Sequence, residues 1–148
     1  MIYVFGFVLV TALAVLAFID YRTHILPDKY TLPLIAIGLA FAIEFGDLRD
    51  ALLGMGLGYL GFVALELAYK QIRGRDGLGR GDAKLLAAGG AWCSWIGLPF
   101  IILIGSASGL LHALLLSSKS KDEPTELPFG PHLALGIFMT WLALFVLT

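Results

Sequence analysis

The sequence predicts an all-α, polytopic membrane protein of about six transmembrane helices. Of its 148 residues, 59% are hydrophobic and only 14% are charged, and the mean hydropathy is +0.89. Soluble domains carry about 25% charged residues, so this composition excludes the soluble class. Each span needs about 20 apolar residues, which leaves no room for a soluble domain besides the spans. We therefore expect residues 1–148 to form one transmembrane domain.

Uncharged stretches place these helices along the chain. The run from 2 to 19 carries no charge and ends at Asp20. The run from 85 to 118 contains no Asp, Glu, Lys or Arg, and it is too long for one span. We expect two short helices there, with a hairpin near Gly97-Leu98-Pro99. The other helices are expected near residues 30–45 and 51–69, and from 127–131 to 148.

Small residues indicate where these helices approach each other. Gly54 and Gly58 lie four residues apart, as do Gly105 and Gly109, and such spacing allows membrane helices to pack closely. Cys93 is the only cysteine, which excludes an intramolecular disulfide and a multi-cysteine metal site. It lies in an apolar run, where we expect it to pack as a small hydrophobic residue.

The basic residues predict the orientation. If Asp20 is cytoplasmic, all ten Lys and Arg residues except Arg49 fall on the cytoplasmic side. Both chain termini then lie outside. The first helix ends at Asp20 and the fourth begins at Asp82, so this number of spans puts both acids at the cytoplasmic edge of the membrane.

Asp82 follows three closely spaced glycines (Gly77, Gly79 and Gly81), which allow a peptide backbone to approach. One interpretation is structural, with Asp82 capping a helix that starts at Ala83. The other is catalytic. Two carboxyls close together cannot both ionise, so Asp20 and Asp82 could share a proton and act as general base and general acid. Since Asp82 begins a helix and Asp20 ends one, helix-end effects predict that Asp20 carries the shared proton.

Three motifs resemble those of prepilin peptidases, the bacterial GxGD intramembrane aspartic proteases that process type IV pilins and type II secretion pseudopilins. They are IDYR at 19–22 with LPD at 26–28, GRGDAKLL at 79–86 with GAW at 90–92, and LPFGP at 127–131 with LG at 135–136. The resemblance covers nearly the whole chain.

The resemblance implies that Asp20 and Asp82 are the catalytic pair, with motif support from Gly79, Gly81, Lys84, Pro27 and Asp28. It implies cleavage of a short basic leader from prepilins or pseudopilins at the cytoplasmic face of the bacterial inner membrane. Partners are then these substrates and the lipid bilayer, without nucleic acid, cofactor or metal. The substrate-binding residues and the oligomeric state are not predicted.

The larger members of this family carry a cytoplasmic domain with paired CxxC motifs and methylate the new N-terminus. This sequence begins with the span that leads to Asp20 and has Cys93 alone, so the resemblance does not extend to methyltransferase activity. An alternative from another class is a small transporter or proton-relay protein with paired acids, although such proteins show internal repeats and acids near the midplane.

Several polar residues have alternative interpretations. Asp28 competes with Asp20 as the first acid, but it follows Pro27 at a helix start, where capping explains it. Glu66 either faces the cavity expected around the two acids or extends to the membrane interface. Lys84 either holds an acid or points to the lipid headgroups. Two histidines lie near the predicted spans, and we expect His112 to be hydrogen-bonded in packing and His132 to be interfacial. Trp92 and Trp95 fit an aromatic belt at the outer surface.

Overall fold

The computed structural model describes residues 1–23, 27–73, 80–117 and 129–147. Helices make up nearly all of these residues, which contain no strand, so the all-α prediction is confirmed. The five helical elements are α1 (Ile2–Thr23), α2 (Asp28–Phe45), α3 (Leu48–Arg73), α4 (Arg80–Ser117) and α5 (Gly130–Phe145).

The long element α4 is two helices joined at Ser94. Ser94 has φ 63° and ψ 178°, a conformation that interrupts the helix and is found almost only at glycine. We call residues 80–93 α4a and residues 95–117 α4b. Two spans were predicted in this run, but with the break near Gly97-Leu98-Pro99. Pro99 does not end a helix here but lies inside α4b, five residues beyond the break at Ser94.

Contacts with α3 show that α4a and α4b run in opposite directions. A Cβ added to Gly54 would lie 2.5 Å from Gly90 O and 2.6 Å from the carbonyl carbon of Ser94. Four residues later, a Cβ on Gly58 would lie 2.8 Å from Leu86 O and 3.3 Å from Leu98. Along α3, the contacts thus move backward along α4a and forward along α4b. The predicted hairpin is therefore present, and Gly54 provides the space in which the chain reverses.

Three helices are long and apolar enough to cross a membrane: Ile2–Thr23, Leu48–Ile72 and Gly81–Leu115. The last of these contains the hairpin, and Gly130–Phe145 forms a further, shorter apolar helix. Together with α2, the described chain has six helical segments, in agreement with the number expected.

Aromatic rings fill one end of the bundle and join α1, α2, α4a and α5. We call this group the aromatic cluster; its members are Phe5, Phe41, Phe45, Trp92, Trp141 and Phe145. Trp92 is 1% exposed, and its indole N–H donates to Leu34 O at 2.9 Å. An aromatic-belt role for Trp92 is therefore wrong, because the ring fills the core. Trp95 is exposed and donates to Asp50.

The small residues of α4b pack closely against α5, as expected. Gly105 approaches the α5 backbone at His132, and Gly109 approaches the ring of Phe129. Cys93 is fully buried. This close packing aligns α4b antiparallel to α5 and brings the first residue of α5 to the end of α1.

Candidate active site

Asp20 lies at the end of α1 against the beginning of α5. Its carboxyl is buried, with the residue only 5% exposed, and its Oδ2 accepts a hydrogen bond from Gly130 N–H at 2.8 Å. The N-cap residue of α5, Phe129, provides no side-chain cap. A buried helix start needs partners for its free amides, and Asp20 supplies one from a different helix.

Gly130 leaves the room that this contact requires. A Cβ at this position would overlap Asp20 Oδ2 and lie 2.7 Å from the carboxyl carbon. Any other residue would push the carboxyl away from the helix start. The glycine of the third sequence motif is thus part of the acid's immediate surroundings.

Asp82 is half-buried in the first turn of α4a. Because the helix begins at Arg80, Asp82 is inside it, and the interpretation of Asp82 as an N-cap before Ala83 is wrong. Its carboxyl is close enough to Asp20 for the two negative charges to repel each other. The structure therefore brings the two acids together at one end of the bundle.

The two acids meet without close packing of their helices. Among the described residues, no Cα of α1 lies within 8 Å of a Cα of α4. The helices touch through side chains, as Phe5 and Trp92 do at the opposite end, where the ring centroids are 6.3 Å apart. Asp20 and Asp82 thus approach each other from helices whose backbones are farther apart than in a packed helix interface.

Lys84 and Asp28 form an ion pair at the same end of the bundle. Lys84 Nζ lies 2.5 Å from Asp28 Oδ1, which connects α4a to the first turn of α2. The expectation that Asp28 caps α2 is wrong, because Pro27 occupies the N-cap without any side-chain cap and Asp28 already belongs to the helix. For Lys84, the interpretation that it holds an acid is correct.

The remaining motif residues are only partly described. Gly81 is half-buried at the second position of α4, whereas Gly79 and most of the basic loop before it lie outside the described residues. Glu66 is half-buried on α3, and its two interpretations remain open.

A group of polar side chains joins α4b to α5 near Gly130. His112 Nδ1 lies 3.1 Å from His132 Nε2, and His132 Nδ1 lies 3.1 Å from Ser108 Oγ. His112 is hydrogen-bonded in packing, as expected. His132 is half-buried with two hydrogen-bond partners, and its interfacial position stays a prediction. No set of three or more His, Cys, Asp and Glu residues in the described ranges is arranged to hold a metal ion.

An apolar cavity of about 320 Å³ opens between α3, α4 and α5. Gly58, Gly61 and Phe129 form part of its wall. Since Phe129 directly precedes Gly130, the cavity adjoins the candidate site.

The sequence did not reveal that the first residue of α5, Gly130, contacts the Asp20 carboxyl. Amides and the dipole at a helix start stabilise negative charge, so Asp20 receives the same kind of support that was assigned to Asp82 alone. Helix ends therefore no longer distinguish the two acids, and the assignment of the shared proton to Asp20 loses its basis. The only signal in the sequence was Gly130 itself, within the motif LPFGP.

Comparison with known proteins agrees with these motifs. A family model described as the type IV leader peptidase family matches residues 7–114, a range that includes both Asp20 and Asp82. No solved structure matches the chain.

Three similar proteins are each named prepilin leader peptidase/N-methyltransferase. The protein from Escherichia coli (strain K12) is 42% identical over 135 residues, which is 86% of this chain and 60% of that protein. The protein from Pectobacterium carotovorum subsp. carotovorum is 42% identical, over 87% of this chain and 47% of its own length. The protein from Aeromonas hydrophila is 41% identical, over 89% and 46%.

The chain thus spans roughly half the length of these relatives, from 46% to 60%. The matches nevertheless cover most of the chain, and the family model includes both acids. On this evidence the chain belongs to the type IV leader peptidase family.

Proposed function

We propose that this protein is a membrane-embedded aspartic endopeptidase that removes the short basic leader from type IV prepilins or type II secretion pseudopilins. Asp20 and Asp82 are its catalytic pair. The observation that carries the proposal is the approach of these two carboxyls at one end of the bundle, in a chain of the leader peptidase family.

In the proposed reaction, a water molecule lies between the two carboxyls. The ionised carboxyl accepts a proton from the water as the water oxygen attacks the scissile carbonyl carbon. The protonated carboxyl donates to the carbonyl oxygen. The C–N bond then breaks as the departing amine takes the proton that the first carboxyl received from the water. A hydroxyl of the intermediate returns a proton to the second carboxyl, so that one water is consumed for each peptide bond.

The surroundings of Asp20 suit this chemistry. Burial of Asp20 limits competing water, and the Gly130 amide fixes the orientation of its carboxyl. Transition-state stabilisation by such fixed groups needs no reorganisation during the reaction.

The proposal is tested by incubating the purified protein in detergent with a prepilin and following the loss of the leader by gel mobility and mass spectrometry. Asp20→Asn and Asp82→Asn should each lower kcat by about 10²–10⁴-fold, because a general acid–base contributes that much. Asp47→Asn is the matched control, since this exposed acid lies between α2 and α3, away from the pair. Full activity in either catalytic variant would contradict the proposed mechanism.

We further propose that the acids lie at the cytoplasmic face, with both termini outside. Nine of the ten Lys and Arg residues then lie inside, with Arg49 outside. A cysteine placed at Ser120 in a Cys93→Ala background should react with an impermeant maleimide only after the membrane is permeabilised. Labelling of this cysteine in intact cells would show that the opposite topology is correct.

A further inference from the structure

Three side chains form a continuous hydrogen-bonded chain between α4b and α5. We call Ser108, His112 and His132 the histidine ladder; its two inter-helix contacts are each 3.1 Å. A third contact, from Ser108 Oγ–H to Gly105 O at 3.1 Å, sets its direction. The carbonyl can only accept, so Ser108 donates to it and accepts from His132 Nδ1–H.

The rest of the ladder follows from this direction. A neutral His132 protonated on Nδ1 has a bare Nε2, which accepts from His112 Nδ1–H. Every polar side-chain atom in these three contacts thus has a defined role, with the His132 ring neutral. A side chain that cannot donate at the Nδ1 position of His132 would leave Ser108 without its donor.

The ladder holds the part of α5 that contacts Asp20. His132 is two residues beyond Gly130, whose N–H donates to Asp20 Oδ2. Between them, Pro131 has no N–H to contribute. The first turn of α5 is therefore held by Asp20 on one side and by the ladder on the other. Gly105 and Gly109 of α4b let the two helices approach closely enough for these bonds.

We propose that His132, held by Ser108 and His112, is a positioning residue that keeps the Gly130 amide on Asp20. It does not touch the reacting atoms and acts through the first turn of α5. This inference rests on the proposed peptidase function. A displacement of about 1 Å at a catalytic group lowers the rate about 100-fold, so a loose helix start is sufficient to impair the reaction.

Prepilin cleavage by His132→Phe and His132→Asn tests the proposal. Phe keeps a planar ring and loses both bonds, and we expect its kcat to fall about 100-fold with KM unchanged. Asn places an amide N–H near the position of Nδ1 and can still donate to Ser108. It should recover most of the lost kcat, which a role in packing alone does not predict.

Ser108→Ala removes one acceptor with little change in volume, so it keeps the test decisive if His132→Phe does not fold. Its kcat should fall with KM unchanged. Thr11→Ala is the matched control, because the Thr11 hydroxyl bonds only to Phe7 O within α1. Thermal unfolding of each variant is measured alongside the kinetics.

The outcomes separate this inference from the proposed function. If the wild-type protein does not cleave prepilin, the proposed function is overturned, and this inference with it. If the wild type cleaves and the kcat of Ser108→Ala and of any folded His132→Phe equals that of Thr11→Ala, only the positioning role is overturned. The same conclusion follows if His132→Asn is as impaired as His132→Phe, since the ring would then matter only for packing.

Discussion

The two ends of the helical bundle are held together by different kinds of contact. At one end, the aromatic cluster joins four helices through rings, with Phe41 at its centre and fully buried. At the other end, individual polar contacts join helices in pairs: Asp20 with Gly130, Lys84 with Asp28, and His132 with Ser108 and His112.

This difference matters because the two kinds of contact respond differently to change. Ring packing consists of many weak contacts between atoms that do not depend strongly on orientation, and its loss lowers the stability of the fold. A hydrogen bond depends on distance and angle, so a small shift removes its effect on the groups it orients. Substitutions in the aromatic cluster should therefore change stability. Substitutions at the other end, which contains Asp20 and Asp82 and which we call the acid end, should change activity.

The largest expected effect is on stability, from Phe41→Ala. The ring of Phe41 contacts Phe5, Trp92, Trp141 and Phe145, at centroid distances from 4.9 to 5.9 Å. Its removal leaves a cavity that these rings cannot fill, at a cost of about 3–5 kcal/mol of unfolding free energy. Reversible unfolding in mixed micelles measures this loss.

The control for Phe41 is Phe7→Ala, because Phe7 is 74% exposed on α1 and faces away from the core. It should unfold like the wild type. If the folded fraction of Phe41→Ala cleaves prepilin more slowly than the wild type, the aromatic cluster also shapes the active site, and the separation between the two ends fails.

At the acid end, Gly130→Ala should reduce activity far more than stability. The added Cβ would overlap Asp20 Oδ2, so the carboxyl must move away from the amide that holds it. We expect kcat for prepilin to fall about 100-fold, as misplaced catalytic groups typically cause. Gly56→Ala is the control, because an added Cβ there meets nothing within 4 Å. Equal activity in the two variants would show that the Gly130 contact with Asp20 has no catalytic role.

The fold was largely predictable, because apolar runs and charged loops report helices directly. The uncharged runs lie within helices, although α1 continues past Asp20 to Thr23 and α3 continues to Arg73. The length of the run 85–118 required a hairpin. Its position at Ser94 was not predictable, because it depends on the space that Gly54 of another helix leaves open. Local turn signals at Gly97-Leu98-Pro99 were outweighed by this tertiary contact.

The candidate site was predictable only in part. Counting spans was enough to predict that Asp20 and Asp82 lie at the same end of the bundle. Only the number of helices between two residues decides whether they lie on the same side. Three features were missed: the Gly130 amide on Asp20, the identity of Asp28 as the acid that Lys84 holds, and the ladder to His132. Each joins residues between 20 and 110 positions apart, and their geometry follows from helix packing that one sequence does not specify.

A smaller effect on stability, and one of opposite sign to that of Phe41→Ala, is expected at the hairpin between α4a and α4b. Ser94 is the one non-glycine residue with positive φ among the described ranges, and its conformation strains any side chain. Ser94→Gly should raise the unfolding free energy by about 1 kcal/mol. Ser106→Gly, inside α4b, is the matched control and should lower it by about 0.5–1 kcal/mol. If both substitutions destabilise, Ser94 is not strained.

The smallest expected effect concerns the ion pair between Lys84 and Asp28, which tests whether polar contacts at the acid end add stability at all. The two side chains are 29% and 54% exposed, so water and salt screen the attraction between them. A double-mutant cycle with Lys84→Met and Asp28→Asn should give a coupling of about 0.5 kcal/mol at low salt, because exposed pairs contribute 0.2–1 kcal/mol. Added salt should reduce it further. Lys84→Arg keeps the charge and should retain most of the coupling. A coupling of several kcal/mol that resists salt would mean that the pair is shielded from water, and the acid end would then contribute to stability as the aromatic cluster does.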